Sequence, residues 1–444
     1  MIPDDPKLLT ELDHEHLWHP FTQQEQWTDE DPLIITSASG CYLRDISGKR
    51  YIDGVSSLWT NVHGHRHPRL NQAIQTQLKK VAHSTLLGLT HPPAIKLAHR
   101  LANLAPWGLK RVFYSDNGST AVEVALKMAF QYHQQTGAEK RTRFACLQDA
   151  YHGDTIGAVS VGGIDLFHSL YRPLLFDALT LPAPLTPDGK EEAECLEQAL
   201  KLLDQEGDSI TALVFEPLVQ GAAGMKMHST HYLQRLLHRA RELGILLIAD
   251  EVAVGMGRTG TLFAMSQVNI APDFLCLAKG LAGGYLPLAA TLTTEEVYEA
   301  FLGEATSTKQ LFHGHTFTGN PLACAAALAS LELFDEEGGL EGVQRSAEHL
   351  AYLLDSLISD EPQVAAIRQK GFLVGIDLRN PDGTPFDPAC RMGHEVSMAA
   401  RNHGAIIRPL QDTLVLNPPL SITHDELTSL VRAVQRAIRA TMSD

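Results

Sequence analysis

The sequence is short of positive charge. Lys and Arg total 36 against 52 Asp and Glu, a net charge of −16. A nucleic-acid partner needs a basic face to neutralise phosphates, so that class is disfavoured. The six cysteines are scattered and form no C-x-x-C pair. That pattern suits buried thiols in a reducing cytoplasm rather than a disulfide framework. The first residues, Met1-Ile-Pro-Asp-Asp, are acidic and lack the apolar core of a secretory signal. Long apolar runs are also missing. The longest uncharged stretch, Phe274 to Thr294, is broken by Lys279, three glycines and Pro287, which argues against a membrane span. Neither repeats nor low-complexity tracts are visible. What remains is 444 residues with 44% apolar content and near-neutral mean hydropathy. The expectation is an acidic, soluble, cytoplasmic globular protein with two or three domains.

The apolar pattern gives the architecture. Residues 41–53 read as a hairpin turning at Ser47-Gly48. Helical patterns at Ala121–Gln135 and Tyr232–Leu243 then alternate with short apolar runs at Arg111–Tyr114, Phe144–Leu147, Ala212–Phe215, Ile245–Ala249 and Phe274–Leu277. Such alternation predicts an α/β fold with a mainly parallel, doubly covered sheet. Helices are predicted at Leu322–Phe334, Leu340–Ile358 and Asp425–Thr441, with strands at Gly371–Leu378 and Leu414–Asn417. This α+β character places a boundary near residue 330. The division is an N-terminal segment (1–59), a large domain (60–330) and a C-terminal small domain (331–444). The acidic Asp335-Glu-Glu is expected to be a solvated loop.

Lys279 is the sharpest residue. It is the sole charge in the 21 residues from Phe274 to Thr294, at the end of a buried-looking strand. A lone lysine of this kind is more often structural, ion-paired or snorkelling. Desolvation, however, lowers the amine's pKa, as a Schiff-base lysine requires. Another buried strand ends in Asp250-Glu251, 29 residues before Lys279. Carboxyl ends of strands in open α/β sheets are where ligands bind. A carboxylate with a Schiff-base lysine is the pairing that pyridoxal phosphate needs, because it keeps the pyridine nitrogen protonated. Ser115-Asp-Asn-Gly118-Ser119-Thr120 joins a strand to a helix and offers free N–H groups to a phosphate. Thr120-x-x-Glu123 reads there as a capping box. Tyr151, in Tyr151-His-Gly-Asp154, offers a face for stacking on a ring.

Two patterns compete. Gly255-Met-Gly257-Arg-Thr-Gly260 matches a dinucleotide-binding fingerprint, but it stands five residues beyond its strand. His63-Gly-His65-Arg-His67 and His313-Gly-His315 have metal-ligand spacing, so a metal-dependent hydrolase is the reading from a different class.

Taken together, Asp250 through Gly260, the spacing to Lys279, and His315-Thr-Phe-Thr-Gly-Asn-Pro321 resemble class III aminotransferases of the fold type I pyridoxal-phosphate enzymes. The resemblance covers nearly the whole chain and implies a large domain with a mainly parallel sheet plus a smaller α+β domain built from both termini. It implies Lys279 as the cofactor-bound lysine and proton shuttle, with Asp250 on the pyridine nitrogen. Tyr151 and Val252 would sandwich the ring, Gly118 and Ser119 would hold the phosphate, and no metal is implied. It further implies a homodimer in which His315 and Thr316 reach the partner's cofactor phosphate. Leu17-Trp-His-Pro-Phe-Thr22, Asp53 through Gly64, Tyr151-His-Gly-Asp-Thr155, Phe312-His-Gly-His-Thr316 and Ile407-Arg-Pro409 are similar to the branch that aminates 8-amino-7-oxononanoate to 7,8-diaminononanoate in biotin synthesis. That branch implies Phe21, Leu58, Trp59, Tyr151, Lys279 and Gly314 around the substrate, with Arg408 on its carboxylate. Phe21, Leu58 and Val415 stand where relatives often carry Tyr, Trp and Tyr. S-adenosylmethionine is the implied amino donor and lysine the alternative, since Gly283-Gly-Tyr-Leu-Pro287 resembles the lysine-using type. An ω-amino acid or diamine transaminase is the alternative within the class.

Overall fold

The computed structural model describes residues 4–105, 107–164, 169–184, 189–336 and 339–441. Among these, seven strands form the central sheet. Their order is Arg111–Ser115, Ala289–Thr293, Phe274–Leu277, Leu246–Asp250, Ile210–Phe215, Arg143–Leu147 and Ala178–Leu181. Ala289–Thr293 runs antiparallel to both neighbours, and the other strands are parallel. The interior strands are buried along their length, as at Ile210–Phe215, so both faces must be apolar. The expected strands are therefore present. Ala178–Leu181 and Ala289–Thr293 complete the sheet beyond the sequence reading. The latter lies in the run after Lys279, where alanines and threonines give little strand signal.

Helices cover both faces. Gly118–Gln135 packs Ala121, Val122, Ala125 and Ala129 against Ile248, Phe274 and Cys276. On the other face, Thr230–Glu242 sets Tyr232, Leu233, Leu236 and Leu237 against Leu213, Phe215 and Leu247. A separate core joins Cys41 and Ile52 to Leu350, Ile376, Leu414, Leu430 and Val434. The predicted hairpin, Tyr42–Asp45 with Arg50–Asp53, contributes to it, and Ala405–Ile406 adds to that sheet in parallel. The chain's two ends thus share one hydrophobic cluster, giving the α+β layer expected beside the large sheet.

Several expectations change in detail. Residue 330 falls inside the single helix Pro321–Glu336. Asp335 ends that helix, ion-paired with Arg100, instead of lying in a loop, while Glu337 is outside the described residues. Val364–Lys370 and Met392–Asn402 are an additional strand and helix. Four cysteines are buried, but Cys195 is half-buried and Cys390 exposed. Among the described residues no helix is long and apolar enough to cross a membrane.

Candidate active site

Three neighbouring strands of the sheet end beside one cavity of about 690 Å³. Phe274–Leu277 delivers Lys279, Leu246–Asp250 delivers Asp250, and Ile210–Phe215 delivers Glu216. Lys279 opens a short 3-10 turn with φ of +38°, a conformation disfavoured for a residue with a side chain. Its Nζ lies 4.6 Å from the centre of the Trp59 ring. Burial lowers the amine's pKa to about 8, with Asp250 and Glu216 pulling the other way. A sizeable neutral fraction at mild pH is what a nucleophilic amine needs.

Asp250 accepts from the Val252 N–H at 2.9 Å, and its other oxygen lies 2.7 Å from His152 Nδ1. His152 is buried, and among the described residues its Nε2 meets no hydrogen-bond partner. The sequence reading quoted His152 without giving it a role and did not single out Glu216. No spacing rule marks either, because both are defined by contacts across the sheet. Tyr151 lines the cavity, its hydroxyl donating to Asp154 at 2.8 Å, and burial raises its pKa well above the ordinary tyrosine value.

At one end of the cavity the helix Gly118–Gln135 points its N-terminus inward, with Gly118 and Ser119 in the lining. The start of an 18-residue helix, where the first N–H groups have no intrahelical acceptor, favours an anion. The cap differs from the predicted one. Asn117 and Thr120 bond reciprocally, while Glu123 reaches away to accept from the N–H groups of Gly157 and Ala158. The helix therefore begins at Gly118, and its cap and first turn carry no acidic side chain. Ser119 Oγ lies 2.6 Å from Thr155 Oγ1 and accepts from the Thr155 N–H, which ties the Tyr151–Thr155 loop to the helix start. A side chain at Gly118 would place its Cβ 2.4 Å from Val252 Cγ1.

Trp59 and Leu58 form the opposite wall. Their segment is locally strained: Ser56, Ser57 and Trp59 all have positive φ. Both oxygens of buried Asp53 hold the Ser57 N–H at 2.8 Å, and Ser56 Oγ donates to the Asn417 carbonyl at 2.7 Å. Leu58 remains 47% exposed at the cavity mouth. The remaining sequence candidates fall outside this lining. Arg408 is half-buried on Arg408–Leu410; burial lowers its pKa, and Tyr151 is the titratable neighbour that acts on it. Phe21 is 58% exposed. Gly314 and Thr316 are exposed, while His315 Nδ1 lies 3.0 Å from Asp116 Oδ2 at the cavity rim.

The competing patterns have structural roles. His63 bonds to Ser330, His65 bridges Asp53 and Asn61, and His67 caps the helix Pro68–Leu78. No group of three metal-ligating side chains is assembled among the described residues. Gly255–Gly260 forms a turn, not a strand-to-helix phosphate loop. Inside it, fully buried Arg258 donates to the carbonyls of Pro418 and Asn61, each at 2.7 Å, so the motif braces the Trp59 segment.

Comparison with known proteins agrees with this arrangement. The aminotransferase class-III family model matches residues 23–438. The chain belongs to the class III aminotransferases. Among curated members it is 53% identical to the adenosylmethionine-8-amino-7-oxononanoate aminotransferase of Nitratidesulfovibrio vulgaris, covering 97% of this chain and 82% of that protein. It is 47% identical to the enzyme of the same name from Geobacter sulfurreducens, covering 98% and 99%. The crystal structure of the Methanocaldococcus jannaschii protein of that name superposes with a TM-score of 0.94 at 41% identity, covering 98% and 99%. An amine transaminase from an uncultivated Pseudomonas species, solved in its PLP-bound form, gives 0.89 at 35% identity, covering 96% and 98%.

Class III aminotransferases use pyridoxal 5′-phosphate, and the cavity fits that group. Its lining brings together a helix start that suits a phosphate, the Tyr151 and Val252 side chains, the buried Asp250 carboxylate and the Lys279 amine. Gly118 is the sharpest check on the fit. Gly118→Val would push Val252 toward the ring space and block the approach of the helix start. The expected result is at least a roughly tenfold weaker cofactor Kd, measured by absorbance titration, with the fold retained.

Proposed function

We propose that this aminotransferase aminates 8-amino-7-oxononanoate to 7,8-diaminononanoate in biotin synthesis, with S-adenosylmethionine as amino donor. The observation that carries the reading is the shared name of near full-length relatives at 53%, 47% and 46% identity, joined to a cavity holding an amine, a carboxylate and an anion-binding helix start. The reading includes a cytoplasmic homodimer, with His315 and Thr316 reaching the partner's cofactor phosphate.

Pyridoxal 5′-phosphate, when bound, supplies an aldehyde for the amine and a ring that accepts electrons from the substrate carbon. Gly118 and Ser119 would hold its phosphate, Tyr151 and Val252 its two faces, and Asp250 the protonated ring nitrogen. Lys279, its amine partly neutral through burial, binds the cofactor between turnovers. Its Nζ would then be the group that accepts the proton lost by the substrate carbon and delivers that proton to the cofactor carbon that receives it. Buried His152 holds Asp250 in place and keeps water from that carboxylate. Trp59 and Leu58 give the substrate chain an apolar wall, and Arg408 binds its carboxylate.

Arg408→Ala is expected to raise the KM for 8-amino-7-oxononanoate about 10- to 100-fold, the loss of a charged hydrogen-bonded pair, and to change the donor KM far less. Equal increases for both substrates would argue against the assignment. The donor is identified by mixing the loaded enzyme with S-adenosylmethionine or lysine alone. Only the true donor bleaches the visible band in a single turnover.

A further inference from the structure

The site contains a second buried carboxylate for which the reaction as described has no task. Glu216 is 4% exposed and lines the cavity. Phe215 pairs with Ala249 in the sheet, so Glu216 and Asp250 follow at adjoining strand ends. Asp250 is already engaged by His152 and the Val252 N–H. Glu216 instead uses both of its oxygens on backbone donors. Oε2 accepts from the Gly221 N–H at 3.0 Å, and Oε1 faces the Tyr151 N–H at 3.4 Å. These contacts join two walls of the cavity. One is the Tyr151 loop, held by Glu216 at Tyr151 and by Asp250 at His152. The other is the turn at Gly221, packed so closely on Trp59 that an added Cβ would lie 3.0 Å from Cζ3.

We infer that Glu216 is a positioning residue that fixes the Tyr151 and Trp59 walls and places a second negative charge within reach of the Lys279 amine. An amide cannot replace it, because two N–H groups converge on it and glutamine has only one acceptor oxygen. A carboxylate held by neutral donors retains charge that no cation cancels, and among the described residues no cation forms a salt bridge with it. The charged or titratable groups facing it are His152, Asp250, Tyr151 and Lys279. Burial raises its pKa to about 7, so it is largely ionised at the mildly alkaline pH where Lys279 titrates. Glu216 and Asp250 both raise the Lys279 pKa against desolvation, and Arg258 lowers it. Two carboxylates therefore oppose the effect of burial on the proton affinity at Lys279, and only Asp250 is hydrogen-bonded to His152.

This inference rests on the assignment of Lys279 as the cofactor-bound lysine and is independent of which substrates are used. Its test is the pH midpoint of the visible absorbance change of the loaded enzyme, which reports protonation at the Lys279 nitrogen without turnover. Glu216→Gln should lower the midpoint by about one unit, as removal of a nearby negative charge requires. Glu216→Asp keeps the charge but withdraws it, and should lower the midpoint by less. An unchanged midpoint in Glu216→Gln, or equal shifts in both variants, would overturn the proposal, since loosened packing alone acts on both. If Glu216→Gln does not fold, Glu216→Asp decides alone: a lowered midpoint with an unchanged cofactor Kd supports the proposal, whereas an unchanged midpoint, or a shift accompanied by weakened cofactor binding, contradicts it. The Lys279 assignment fails separately, through a Lys279→Ala protein that keeps the titrating band, and the Glu216 proposal then falls with it.

Discussion

Lys279→Ala is expected to reduce turnover by at least about 10³-fold, because in the proposed mechanism one side chain serves as both nucleophile and proton carrier. The fold should survive. Lys279 lies beside Gly280, Leu281 and Ala282, all buried, and its charged form is held there at a desolvation cost. The sign of the pH effect separates this cost from packing. The amine's pKa falls from 10.5 in the unfolded chain to about 8 in the folded one. Between those values the unfolded state binds more protons, so stability from this group rises with pH. Below about pH 8 the penalty is complete. In cofactor-free protein, Lys279→Ala should therefore gain in Tm relative to wild type at pH 7 and lose most of that gain near pH 10. Thermal melts at the two pH values, with the kcat of the loaded enzyme, check both halves.

Asp250→Asn is the second large effect. The substitution preserves size and can still accept from the Val252 N–H, but it removes the charge facing His152 and the cavity. Without that charge the ring nitrogen of the bound cofactor would lose the partner that the proposed mechanism gives it to stay protonated. The expected result is a fall in kcat on the order of 10³-fold with a much smaller change in cofactor affinity, because the phosphate cradle at Gly118 and Ser119 is untouched. Steady-state kinetics beside a cofactor titration distinguish this from simple failure to bind. The substitution also lowers the Lys279 pKa, since Asp250 is the largest influence raising it.

Much of this site was legible because its chemistry sits where sequence patterns change. A lone lysine in an uncharged run and an acidic residue closing an apolar strand are local facts, and parallel-sheet topology brings such strand ends together. Gly118 was equally visible as a strand-to-helix joint. Its cap was misread because Glu123 fits the capping-box spacing from Thr120, whereas the N-cap is Asn117, three residues earlier. His152 and Glu216 stayed hidden for a different reason. Each acquires meaning only from a partner tens of residues away: His152 from Asp250, and Glu216 from Tyr151. The histidine clusters illustrate the converse. Spacing alone suggested a metal, while Ser330, Asp53 and Asn61 supply ordinary hydrogen-bond partners from distant or neighbouring segments. Phe21, Gly314 and Thr316 lie outside the cavity lining of this one chain. In the dimer we propose, the partner's cavity is where residues such as Thr316 would act.

The net charge of −16 also takes on a local meaning. In the proposed reading, an acidic protein holds a phosphate and a carboxylate through placed positive features: the helix start at Gly118, Lys279 and Arg408.

The central claim is that this chain moves an amino group onto 8-amino-7-oxononanoate. Its most direct measurement is mass-spectrometric detection of 7,8-diaminononanoate from 8-amino-7-oxononanoate, pyridoxal 5′-phosphate and purified protein, with S-adenosylmethionine or lysine as donor. Product is predicted with S-adenosylmethionine and should be lost in Lys279→Ala. No product with either donor, alongside steady turnover of an ω-amino acid with a 2-oxo acid, would contradict the account.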